Sequence, residues 1–349
     1  MAIQASFTLT PNEIYETLAN MIISQEVFAD NIGKHQTLVD KARTDGGLYG
    51  DTKLYYATDV LKSHDWLNDE EAANLLALDR PGDPEVQAIK LDTFRQIRLT
   101  VDNYLTKRAF SDEGTFASFN GVMLGWMRET KRIYDGTLYN VFIGTTKSAE
   151  TKQNVSVAVK SISDPKMEAM TIAQSLADLM VEMGDYSREF NDYGNLRSYS
   201  EDGIKVIWNS KYVNKIRKID LPTIFHKDGL MDKFEEEVLP SRYFGNVIAD
   251  AHTSQEGERS VVEKDYGLVH VFPGDVIPTG SQVGAKEAYT EDADVICKVL
   301  VKLPPYMSAF EVGTTFFNPR SLTENHYLTF GHNSLQYLKN YPFITVKAV

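Results

Sequence analysis

An α+β fold with long extensions is what this chain of 349 residues predicts. Three observations carry that reading. One helical pattern is unusually long, two period-two segments flank a long polar tip, and an α-β-α unit lies further along the chain.

The elements follow in chain order. In "LTPNEIYETLANMIIS", Thr10 can cap a helix, Pro11 fits its first turn and Glu13 reaches back, while Ile14, Leu18, Met21 and Ile22 share a face. This short helix stands apart from the other strong elements, so its stripe must dock elsewhere. Gly46, Gly47 and Gly50 then mark a turn, after which Leu54 and Tyr56 alternate with Lys53 and Tyr55 as in a strand. An acidic stretch broken by Pro81, Gly82 and Pro84 follows. The chain returns with Ile89, Leu91, Ile97, Leu99 and Val101 at period two. Two extended arms around a polar tip describe a projecting hairpin, marginal in isolation.

The stretch "SDEGTFASFNGVMLGWMRETKRIYDGTLYNVFIGTT", residues 111–146, is the long helix. Ser111 can cap it, Phe116, Phe119, Met123, Trp126 and Met127 fall at helical spacing, and Ile133, Tyr134, Leu138 and Tyr139 continue with some drift. Continuous from Ser111 to Ile143, it runs ~45–50 Å at 1.5 Å per residue. Gly121, Gly125 and Gly136 each cost ~1 kcal/mol against Ala but let another backbone approach. Residues 153–160, "QNVSVAVK", alternate like a strand. Asp164 caps and Pro165 opens a second helix with the stripe Ile172, Leu176, Leu179, Met180 and Met183, ended by Gly184. "IKVIWNSKYVNKIRKID" reads as a buried strand, a turn at Asn209-Ser210 and a short basic helix with Tyr212, Val213 and Ile216 inward. From Leu239 onward strands and turns dominate, closing on a strand with Phe343 and Val346.

Composition narrows the function. Lys and Arg number 36 against 49 Asp and Glu, a formal net charge of −13, which argues against a protein built to grip phosphates. One cysteine, Cys297, allows no internal disulfide. The start lacks the pattern of a secretory signal, and no apolar run approaches the ~18 residues of a spanning helix. A soluble protein made in a cytoplasm is expected.

No catalytic, cofactor or metal motif emerges: there is no H-E-x-x-H, Walker loop, G-x-S-x-G or dinucleotide fingerprint. Cys297, inside "DVICKVLV", reads as a buried structural cysteine. His252 beside Asp250, Glu256 and Glu258 lacks fixed ligand spacing and reads as a solvated acidic loop. His226 and His332 read as turn or surface residues, and Asp69, Glu70 and Glu71 as a solubilising tip. The basic run from Lys211 reads as the wet face of a helix; Asn154-Val-Ser, without secretion, carries no glycosylation meaning.

The order of these segments resembles the major capsid proteins of tailed phages, the Hong Kong phage-type capsid fold shared with encapsulin shells. "IKVIWNSKYVNKIRKI", "LTVDNYLTKRAF" and "MSAFEVGTTFFNPRSLTENHYLTFGHNSLQYLKNYPFITVK" are similar to the family's segments in texture as well as order. The resemblance covers nearly the whole chain. It implies an N-terminal arm at residues 1–40, an E-loop at 41–88, and a peripheral domain at 89–163 with a spine helix at about 111–143. An axial domain at 164–290 and a return to the peripheral sheet at 291–349 complete the fold.

The resemblance implies a structural protein, not an enzyme. It assembles in the host cytoplasm with itself, as hexamers and pentamers of an icosahedral virion shell around double-stranded DNA, with a portal protein as partner and no membrane. The cleaved scaffolding segment of some members has no counterpart here, so a separate scaffolding protein is expected. Some members crosslink a Lys to an Asn between subunits; Lys53 or Lys62 on the hairpin is available, but nothing in the sequence supports that chemistry, and a plain solvated lysine is the default. Two rivals stay open: an encapsulin-like compartment packaging a cargo enzyme, and an enzyme whose site is assembled from distant residues.

Overall fold

The computed structural model describes residues 37–46, 51–63, 80–102, 113–144, 153–217, 235–247, 282–283, 287–333 and 335–349. The helix expected over Thr10–Ile22 lies outside the described residues, as do Asp69, Glu70, Glu71, Ser111, His226, Asp250, His252, Glu256 and Glu258. For Phe116, Phe119, Met123 and Ile216 only the helical backbone is described.

The long strand β3, Glu85–Asp102, organises the first sheet. Its 18 residues span about 60 Å, and its two ends have different partners. Residues 85–90 pair antiparallel with β2, Thr52–Ala57, to form a hairpin; from Leu91 onward it pairs with β12, Thr323–Asn333. Beyond β12 lie β11, Tyr306–Asn318, and the short parallel strand β1, Arg43–Asp45, giving the order β1-β11-β12-β3-β2. The period-two pattern does place Gln87, Ile89, Leu91 and Thr93 on one buried face. In β2 the alternation has an unexpected sense: Leu54 and Tyr56 point to solvent while Lys53 and Tyr55 are half-buried.

The second sheet has the order β4-β13-β10-β5-β6, from strands Asn154–Val157, Phe343–Ala348, Val295–Leu300, Lys205–Asn209 and Glu235–Leu239. Of the chain from 291 on, β11 and β12 thus join the first sheet, whereas β10 and β13 lie at the centre of the second. Both faces of β10 are covered, which is why "VICKVL" is apolar apart from Lys298, whose buried ammonium donates to the Thr345 hydroxyl at 2.7 Å. A small third sheet joins β7, Gly245–Val247, β8, Gln282–Val283, and β9, Glu287–Glu291.

Helices fill the faces. Helix α1, Thr37–Ala42, and helix α2, Glu113–Gly144, pack Leu38, Val39, Tyr134, Leu138, Tyr139 and Phe142 into one core with Tyr306, Phe330, Phe343 and the strand residues Ile207, Val295 and Leu300. Helix α2 has 32 residues and runs about 48 Å. From Tyr134 to its end it is buried nearly all round, so one apolar stripe does not suffice there. The spacing put Trp126 on the apolar stripe; it is instead 56% exposed, and Met127 turns inward. At its last described residue, Gly144, the backbone meets the 3-10 turn Ser241–Tyr243: a side-chain carbon there would overlap the Tyr243 carbonyl.

On the other face of the second sheet, helix α3, Pro165–Gly184, starts as expected, with the Asp164 carboxylate accepting from the Lys166 amide. Its buried residues are Ala169, Ile172, Leu176, Leu179, Met180 and Met183, which pack with Val206, Trp208, Ile296, Cys297 and Val346. Helix α4, Ser210–Arg217, adds Tyr212 and Val213 to that core.

Candidate functional site

The strongest chemistry among the described residues is a polar seam between α2 and the first sheet. Asp135, 1% exposed, accepts from the Tyr306 hydroxyl at 2.6 Å, from Lys131 Nζ at 3.1 Å and from an Arg43 guanidinium nitrogen at 3.4 Å. Lys131 also faces Glu311 at 3.5 Å and lies over the Phe330 ring. One turn of helix thus presents a carboxylate to a cation on its own face, a cation from β1 and a hydroxyl from β11.

His332 belongs to this seam. It is fully buried in β12, which corrects its reading as a turn or surface residue. Its Nδ1 lies 2.9 Å from the Asn333 carbonyl, and its Nε2 lies 2.9 Å from the Tyr134 hydroxyl. A carbonyl can only accept, so Nδ1 carries the proton and the Tyr134 hydroxyl donates to Nε2. The ring stacks on Tyr306 at 5.7 Å between centroids. Burial pushes its pKa down; the Asn333 carbonyl, Asp135 and Asp92 oppose that shift and Arg95 assists it. Burial also pushes the Tyr134 hydroxyl up to about 12 and the Tyr306 hydroxyl well above its ordinary value. These groups are neutral structural partners. A solvent-borne substrate has no approach to His332, whose side chain is covered on every side.

The sign of the pH dependence follows. Above about 6.5 His332 is neutral in both folded and unfolded chains. As pH falls below that value the unfolded chain takes the proton first, so stability declines, and the decline ends at the depressed folded pKa. The slope is at most about 1.4 kcal/mol per pH unit for one proton. Melting curves at pH 7 and pH 5 are expected to differ less for His332→Gln than for the parent. Equal differences would remove His332 from the account.

The remaining candidates separate. Cys297 is buried with its thiol pushed up by burial, and so is not poised as a nucleophile. Lys53 is half-buried and Lys62 exposed on the hairpin. Asn154 lies half-buried in β4, and Lys211 is exposed on α4 beside Tyr212. Among the described residues no group of three His, Cys, Asp or Glu is placed to hold a metal, and no helix is long and apolar enough to cross a membrane.

Outside the seam, apolar side chains stand in solvent on two projecting pieces. On the hairpin these are Leu54, Tyr56, Val60, Leu61 and Val86, with Leu61 76% exposed. On the far end of the β11–β12 ribbon they are Val312, Phe316, Phe317 and Leu322. β1 covers β11 only at 306–308, so the rest of that edge is not paired by any described strand. Among the described residues the pattern is a folded body with greasy limbs, and those limbs supply binding surface.

No protein-family model matches the chain, and no curated protein matches it. Its backbone is similar to solved structures. Against a chain of the capsid structure of Staphylococcus phage Andhra the TM-score is 0.60 at 10% identity, covering 88% of this chain and 82% of that one. Against a chain from the structure of the head fiber and inner core protein gp22 of native bacteriophage P68 it is 0.56 at 12% identity, covering 87% and 82%. At such identities the likeness is one of fold: this mixed α+β chain folds as those phage chains do.

Proposed function

We propose that this chain is the major capsid protein of a tailed phage, a structural subunit that self-associates as hexamers and pentamers into the icosahedral head enclosing double-stranded DNA. The observation that carries the reading is the fold shared with the Andhra capsid chain over 88% of this chain. The exposed apolar residues of the hairpin and of the β11–β12 ribbon support it. At ~25 cal/mol per Å² of apolar surface, covering several hundred Å² against a sibling contributes several kcal/mol per contact. Many such contacts favour a closed assembly. The net charge of −13 suits a wall that encloses DNA without gripping it.

In this reading residues 1–40 form the arm, 41–88 the E-loop with β2 and the start of β3 as its arms, and α2 the spine helix. Residues 89–163 and 291–349, with the first sheet and α2, form the peripheral domain and 164–290, with α3 and α4, the axial one, while β4, β10 and β13 extend the axial sheet from beyond those bounds. The portal and a separate scaffolding protein are the partners it assigns, and the virion is its location. Electron microscopy of the purified chain is expected to show hollow closed particles. A persistent monomer or dimer at high concentration overturns the reading.

A further inference from the structure

We propose that Asp59 is the positioning residue of the projecting hairpin: its carboxylate docks in a socket on the Ser187–Arg197 turn and fixes the direction in which the hairpin leaves the body. The geometry stands by itself; its consequence for assembly rests on the shell reading above.

The socket is built without Asp59. Ser187 and Arg197 form an antiparallel bridge, exchanging backbone bonds of 2.9 and 3.0 Å. Inside it the buried Asn191 side chain accepts from the Asn195 amide at 2.9 Å and donates to the Asn195 carbonyl at 2.8 Å, with Gly194 at φ +67 completing the turn. Arg188 donates to the Gly194 carbonyl at 2.8 Å, which aims its guanidinium outward. Asp59 then offers one oxygen to Arg188 at 2.6 Å and the other to the Leu196 amide at 3.0 Å. Arg197 donates to the Thr58 carbonyl at 2.5 Å. Two guanidinium groups and an amide therefore converge on two consecutive hairpin residues, and each bond is charge-assisted or to backbone.

The two arms of the hairpin are held differently. The returning arm is fixed by burial. The Gln87 side chain donates to the Tyr337 carbonyl at 2.8 Å and accepts from the Lys339 amide at 3.0 Å, and Ile89 and Leu91 pack with Met307 and Leu338. The outgoing arm shares that packing through the half-buried Tyr55 and is buried again at Ala57; past Ala57 it meets the second-sheet body only at Thr58 and Asp59, through exposed polar contacts. Residues 58–63 are all exposed, so this outer segment swings about the buried base of the hairpin when the light anchor opens. The bonds from Leu196 and Arg188 hold the Asp59 carboxyl down at about 2, so it stays ionised across ordinary pH. Salt therefore opens this latch and mild acid does not.

The test reads direction. Cys297 is the one cysteine of the sequence and is buried, so cysteines introduced at the exposed positions Lys62 and Asp202 take spin labels selectively. Labelled whole chains, diluted into unlabelled ones, are expected to give one narrow distance population. Asp59→Ala and Arg188→Ala should each broaden it and shift its mean. Asp59→Asn, which keeps an acceptor for the Leu196 amide, should fall between. Raising salt should broaden the parent and leave Asp59→Ala unchanged. A distribution in both alanine variants that matches the parent overturns the latch, whatever particles form. A parent that forms no particles overturns the shell reading and leaves the latch standing.

Discussion

Asp135→Ala is expected to cost this subunit about 3–5 kcal/mol, the range for breaking a buried ion pair by removing one partner. At ~2–4 °C per kcal/mol for large domains, Tm falls by about 10 °C. The reason lies in what the substitution leaves behind. Lys131, only 6% exposed, keeps Glu311 at 3.5 Å, an exposed partner, and loses its buried one. The Tyr306 hydroxyl, buried and 2.6 Å from the carboxylate, loses its acceptor. Arg43 loses the contact that ties β1 to the helix and retains Asp40 at 3.7 Å on its own segment. Asp135→Asn should do less harm, because an amide oxygen still accepts from Tyr306. Replacing Lys131 and Asp135 together by Met and Leu should recover much of the loss, since no unpaired charge then remains in the seam. Calorimetry on the four chains checks the order. An Asp135→Ala chain melting within about 2 °C of the parent would show that the seam contributes little, against the expectation for a buried pair.

What the sequence discloses depends on how local its cause is. Helix α3 is readable because cap, first-turn Pro and buried stripe all lie within 21 residues, from Asp164 to Gly184. β10 is readable because a run apolar at every position but Lys298 needs cover on both faces whatever supplies it. The length of α2 and the two arms of the hairpin are visible from period alone. The seam is hidden for the opposite reason. Lys131 and Asp135 are four apart on a helix, the ordinary sign of a solvated pair; Tyr306, 171 positions away, is what encloses them. "FGHNS" has the composition of a turn, yet His332 sits at a register shift between β12 and β3 and beneath α2. Trp126 errs the other way: spacing placed it on the apolar stripe, yet it is exposed while its neighbour Met127 is buried. The latch on Asp59 joins residues 129 and 137 positions apart, and no periodicity announces such a contact. The one available signal was Tyr134 and Asp135 adjoining within an apolar stretch of helix, where a charge must find partners.

Removing residues 58–84 is expected to abolish closed particles while leaving a folded subunit. Ala57 and Glu85 are register partners, so an Asn-Gly turn can join them without disturbing β2 or β3. Everything the described part of the hairpin buries is retained: Ala57, Ile89, Leu91, Gln87 and the half-buried Tyr55 over which Lys302 lies. What leaves is the latch at Thr58 and Asp59, the exposed Val60 and Leu61, and the tip with Trp66 and Leu67. Among the described residues the lost contacts inside the subunit are exposed and polar, a class that contributes about 0–1 kcal/mol each, so the melting point should move by only a few degrees. The lost contacts between subunits are the ones that the E-loop reading makes indispensable. A shell subunit deprived of its reach to a sibling should sediment as single chains or small rings, with the circular dichroism of the parent body. Particles of parental size from the shortened chain would show that the hairpin is ornament and that closure comes from the β11–β12 ribbon and the helical faces instead.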